Sequence, residues 1–191
     1  MLAMRVRAVL RLLPAAALTA CAAYAPPAPV PPTALSRDLP APFERVWNAA
    51  MQVADTAPFQ AQAVGTANGV ITSDFRTDTP AAYVDCGAVE SRWNVQTTPA
   101  LLGLGFDAAF LEATATIGIR AEGGNRAAVR VEDRYALGVY RIDPIGTRIR
   151  IAEFRFDSGS ADTRRIGLRW VTCRASRAIE RRFLDQIAAR L

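Results

Sequence analysis

Three cysteines, Cys21, Cys86 and Cys173, have the widest chemical reach of any side chains in this 191-residue chain. A cysteine sulfur can attack a carbonyl, hold a metal, close a disulfide or carry an acyl chain. Its neighbours decide which. The chain contains no histidine and no lysine. Ser-His-Asp and Cys-His catalysis are therefore excluded, and so is the commonest metal ligand. No Cys-x-x-Cys pair, Walker loop, GxGxxG or GxSxG is present. Asp74, Asp85 and Glu90 are the remaining candidates for acid–base work. Lone acids in strands and turns are usually solvated or paired. The expectation is a non-enzymatic protein with no metal site and no cofactor.

Cys21 is set apart by what precedes it. Arg5, Arg7 and Arg11 make a basic start, and no acid occurs before Asp38. The run from Val9 to Leu18 is mostly apolar but too short to span a bilayer as a helix. Such a leader, ending in small residues, is a secretory signal peptide. Its last residues, "LTAC" at 18–21, resemble the lipobox of bacterial lipoproteins. The resemblance implies cleavage before Cys21 and fatty acylation, of the palmitate type, at Cys21. Ala22, where an aspartate would favour inner-membrane retention in the enteric version of the family, implies the outer membrane. Residues 1–20 are then the signal peptide, 21–40 a lipidated, proline-rich tether, and 41–191 one periplasmic domain.

With the leader removed, the formal charge of +5 falls close to neutral, because three of the 23 basic residues lie in it. The arginines from Arg120 to Arg190 are interleaved with acids, which reads as a solvated mixed surface and not a nucleic-acid footprint. With Cys21 acylated, Cys86 and Cys173 form an even pair in an exported chain, and the expectation is a structural disulfide. A reactive thiol or a metal site is the alternative.

These residues need elements to position them. Residues 22–40 hold six prolines and no recurring apolar face, which reads as a partly extended spacer or a docking strip for a partner. Pro42 opens a helix whose Phe43, Val46, Trp47, Ala50, Met51 and Ala54 form an apolar stripe. Asn68-Gly69 predicts a hairpin turn between "FQAQAV" and "VITSDFRT". "AAYVDC" reads as a short third strand. "FLEATATIGIR" alternates strictly, as one strand of an antiparallel sheet with a wet face. "RAAVRVEDRYALGVYRI" runs back with a bend expected at Glu132-Asp133, and a bulge is expected in "TRIRIAEFRF". "DSGSAD" reads as a loop and "IGLRWVTC" as the last strand. A closing helix carries Ile179, Phe183, Leu184, Ile187 and Leu191, with Ser176 as its N-cap. The class is α+β: an N-terminal helix, an antiparallel sheet of roughly six strands and a C-terminal helix packed on it.

The lipobox, the prolines and "LPAPFERVWNAAMQVADTAPFQAQAVGTANGVITSDF" together resemble envelope lipoproteins related to BamC, an accessory subunit of the outer-membrane barrel-assembly machine. The likeness covers Leu39 to Phe75 and implies a helix-grip fold. It also implies a scaffolding or accessory role beside another envelope protein. The Cys86/Cys173 pair departs from that pattern, and the chain has room for one such domain where BamC has two. The alternative is a carrier that holds a small apolar ligand or lipid in a helix-grip cavity, with "LLGLGF" as its lid. The partner surface is expected in segment 87–107, at Leu101, Leu102, Leu104 and Phe106, because that apolar run has neither helical nor strand period.

Overall fold

The computed structural model describes residues 23–31, 34–90, 97–99 and 106–191. In chain order these form β1 (Ala23–Ala25), β2 (Leu35–Leu39), α1 (Phe43–Ala54), β3 (Phe59–Gly65), β4 (Val70–Thr77), β5 (Val84–Asp85), β6 (Ala88–Glu90), β7 (Thr97–Pro99), β8 (Ala108–Gly123), β9 (Arg126–Ile142), β10 (Arg148–Asp157), β11 (Ala161–Ile166), β12 (Arg169–Ala175) and α2 (Ala178–Ala188).

The main sheet runs β10-β9-β8-β4-β3, antiparallel throughout. Alternation decides its two faces. Leu111, Ala113, Ala115, Ile117 and Ile119 of β8 are buried, while Glu112, Thr116 and Arg120 face water. Val129, Val131, Tyr135, Leu137 and Val139 of β9 join the buried face. Both helices cover it. From α1, Val46, Trp47, Ala50, Val53 and Ala54 point inward; from α2, Ile179, Phe183, Leu184 and Ile187. Phe183 and Phe59 meet with ring centroids 4.4 Å apart, and Phe59 meets Phe75 at 5.4 Å. Ser73 on β4 donates to the Ala54 carbonyl at 2.8 Å and fixes the end of α1 to the sheet. Each buried large apolar side chain contributes about 1.5–3 kcal/mol relative to its exposed state.

β9 is long enough to serve two partners along one edge. β2 pairs with residues 127–131 and β10 with 134–142. Where β2 stops and β10 begins, the Ser158 N–H donates to the Asp133 carbonyl at 2.9 Å and the Asp133 N–H donates to Ser158 Oγ at 2.7 Å. The expected bend is thus a change of partner within a continuous strand. The expected bulge lies between Arg150 and Ala152. It carries Phe154 and Phe156 into the core but leaves Ile149 exposed. The predicted hairpin turn is a 3-10 turn, Thr66–Asn68, followed by Gly69 at φ 62°. A side chain on Gly69 would run into the Ile119 carbonyl.

Two small sheets flank the main one: β1-β6-β7 and β11-β12-β5. β5 and β12 overlap expected strands, "AAYVDC" and "IGLRWVTC", whereas β1, β6 and β7 lie in stretches expected to be tether or irregular. The stretch expected to be a tether contains β1 and β2. "DSGSAD" and "IGLRWVTC" divide differently, into β11 and β12 around a turn at Gly167, φ 59°.

The expected α+β helix-grip entered by an N-terminal helix is therefore corrected. Of the described residues, 55% lie in strands and 19% in helices. Among the described residues there are twelve strands in three sheets and two α-helices, and two strands precede α1. The reason is that two- and three-residue strands bury too little to leave a period, and prolines mask β1. Ser176 is not the cap of α2 either. Arg177 holds that place at φ 64°, and Ser176 Oγ donates to the Ala82 carbonyl.

Candidate functional site

The disulfide is formed: Cys86 and Cys173 are bonded, with Cα atoms 4.0 Å apart. The register explains it. Arg174 pairs with Asp85 and Ala175 with Val84, so the next pair along β12 and the end of β5 is Cys173 opposite Cys86. Cross-strand residues at a position without ladder hydrogen bonds approach most closely, at about 4.5 Å. Both cysteines are buried.

The start of the described chain is fastened to this edge. The Tyr24 hydroxyl accepts from the Thr172 N–H at 2.9 Å and donates to the Cys86 carbonyl at 3.0 Å, with the Thr172 carbonyl at 3.2 Å. β1 pairs with β6 beside it. Gly87, at φ 79°, makes room: a side chain there would lie 2.1 Å from the Ala25 carbonyl. Further along, the Arg177 guanidinium donates to the Pro31 carbonyl, and Arg37 on β2 bonds the Leu184 carbonyl and Asp185 of α2.

Two residues from Thr172, the β11–β12 hairpin carries exposed apolar side chains. Trp170 is 64% exposed and Leu168, in the turn, 90%. Arg165 stands opposite Trp170 and Arg169 opposite Ile166. Arg164 pairs with Asp162 at 2.8 Å. A second exposed apolar turn, around Ile145, joins β9 to β10.

A buried polar cluster lies between β9 and α2. The Tyr135 hydroxyl is 2.9 Å from Asp133 Oδ2 and 3.3 Å from Glu180 Oε2. Asp133, Tyr135 and Glu180 are each at most 3% exposed. Burial, and then the charge of Glu180, raise the Asp133 carboxyl well above its ordinary range. Burial and the two carboxyls also push the Tyr135 hydroxyl up, so it stays neutral and donates. The Asp133 carboxyl is thereby biased toward its protonated form. No substrate reaches the two acids, because helix and sheet close over them; they fix the seat of α2. Sequence reading passed over both, although a signal was there. Asp133 alternates in phase with Val131 and Tyr135, and Glu180 lies at helical spacing from Leu184 and Ile187.

The wet face of the main sheet carries an open groove of about 490 Å³. Asp74, Arg76, Glu112, Thr114, Arg134 and Arg155 line it. Thr114 Oγ1 donates to Asp74 at 2.8 Å, and Arg76 lies 3.5 Å from Glu112. Asp85 accepts from the Gly87 N–H at 2.8 Å. Asp74 and Asp85 are thus partnered by turn or sheet neighbours. Among the described residues, no three His, Cys, Asp or Glu side chains gather to hold a metal ion, and no helix is long and apolar enough to cross a membrane.

Of the other sequence candidates, Cys21, Leu101, Leu102 and Leu104 lie outside the described residues, as does the Glu90 side chain. Phe106 is half-buried and packs on the core. Comparison with protein-family models, curated proteins and solved structures finds no match.

Proposed function

We propose that the chain is a non-enzymatic, lipid-anchored component of the cell envelope, held on the periplasmic side of the outer membrane through acylated Cys21. There it serves as an accessory or scaffolding protein for other envelope proteins. The observation that carries this reading is the Tyr24 contact. Tyr24 lies three residues beyond the lipobox cysteine and is bonded to the backbone of the disulfide edge. An anchor at Cys21 would therefore hold the domain close to the membrane, which suits a scaffold. The disulfide agrees with an oxidising compartment.

The carrier reading has less support. The space between sheet and helices is occupied by Phe59, Phe75, Phe154, Phe183, Ile179 and Ile187, and the groove on the wet face is open and charged. Crosslinking of the native protein in membranes, followed by capture, is the test. Recovery of envelope proteins, reduced in a Leu102→Ser/Leu104→Ser variant that melts normally, supports the scaffold. Recovery of the chain alone with bound lipid rejects it.

A further inference from the structure

We propose that the β11–β12 tip is a second membrane contact, in which Trp170 and Leu168 enter the interface of an anionic phospholipid surface and Arg165 and Arg169 meet its headgroups. The proposal rests on the anchored reading above for its orientation, but its residues stand apart from the anchor.

Three observations point the same way. The first is exposure. Nothing in the described fold covers these large apolar side chains, and Leu168 and Trp170 sit together at the turn end of one hairpin. The second is charge. The stretch "TRRIGLRWVTCR" from Thr163 to Arg174 holds four arginines and no acid. Among the described residues, only Arg164 has an acidic partner there, Asp162. Many arginines of the main sheet do have acidic partners: Arg76 with Glu112, Arg120 with Glu122, Arg130 with Glu132, and Arg150 and Arg155 with Glu153. A tryptophan and a leucine ringed by unmatched arginines are the side chains that favour a membrane–water interface. Tryptophan sits at headgroup level and arginine pairs with phosphate.

The third observation is position. Cys21 lies three residues before Tyr24, within about 11 Å of it. Tyr24 grips Thr172, and Trp170 lies about 7 Å farther along the strand. Acyl chains on Cys21 and the rings of the tip would thus reach the same surface. A lone anchor leaves a protein free to swivel. A second contact beside it fixes which face turns toward the periplasm.

The test uses the mature chain purified from envelopes, with vesicles of phosphatidylcholine alone or mixed with phosphatidylglycerol. Lipids brominated in the acyl chain quench a tryptophan that enters the interface. Trp47 is buried and Trp93 is common to all samples, so the signal of Trp170 is the difference between wild type and Trp170→Phe. The expected result is a blue-shifted Trp170 emission quenched by the brominated lipid, more strongly with phosphatidylglycerol. Replacing Arg165 and Arg169 by glutamine should remove that dependence. Each cation near such a surface is worth roughly fivefold in partitioning, so the pair should cost unacylated chain at least tenfold in vesicle binding. Trp170 emission unchanged by vesicles overturns the proposal, as does quenching indifferent to phosphatidylglycerol and to both arginines. Mass analysis of the same sample reads the anchor separately. Acylated Cys21 with unquenched Trp170 sinks the tip alone, and bare Cys21 with quenched Trp170 sinks the anchor alone.

Discussion

Replacing Cys86 and Cys173 together by alanine should lower the melting temperature of the mature domain by about 11–22 °C. The cysteines are 87 residues apart in sequence. In the chain-entropy picture, a loop of that length stabilises the folded state by about 4.5 kcal/mol. Both side chains are buried, so losing the sulfur atoms adds about 1 kcal/mol more. A domain of this size shifts by roughly 2–4 °C for each kcal/mol, which gives the range above. The loss is large beside a usual total of about 5–15 kcal/mol. It should also be selective: β12 and β5 share little ladder beyond the bonded pair, so the edge that holds Tyr24 should loosen first. Thermal unfolding followed by circular dichroism, for oxidised wild type and the double variant, measures the first effect. Hydrogen exchange at residues 169–175 measures the second. A fall of under 3 °C, or uniform exchange changes, would refute the reasoning.

Two further perturbations test the other contacts. The folded Asp133 carboxyl binds its proton more tightly than the unfolded one, because burial and Glu180 raise it. That contribution is fully present below the ordinary value of 3.8 and is lost as pH rises through the raised one. Asp133→Asn should therefore gain stability relative to wild type as pH goes from acid to neutral, in paired melts; a constant difference between the two would reject the raised Asp133 carboxyl. Gly87→Ala should cost about 1–3 kcal/mol at its positive φ and detach β1, so that limited proteolysis cuts near Pro26 much faster than in wild type.

How much was legible follows from how much each element buries. The α1 stripe and the alternation of β8 were readable, because each repeats its burial over ten or more residues. β1 and β6 are three residues long and owe their place to register and to Tyr24, which no local pattern reports. Gly167 was read as a strand interior, which hid the β11–β12 tip with its exposed Trp170. Cys86 and Cys173 were paired from count and compartment alone. That they face each other directly depends on a strand pairing over long sequence distance. Asp133 and Glu180 broke an apolar phase, and such breaks mark buried polar contacts that composition averages away.

The central claim is that the mature chain begins at a lipid-bearing Cys21, two residues before β1. Mass spectrometry of the N-terminal peptide from protein isolated out of membranes tests it most directly. The account predicts a peptide that starts at Cys21 and carries acyl chains, and no such peptide from a Cys21→Ser chain. A mature protein that starts elsewhere, or at Cys21 with an unmodified sulfur, would contradict it.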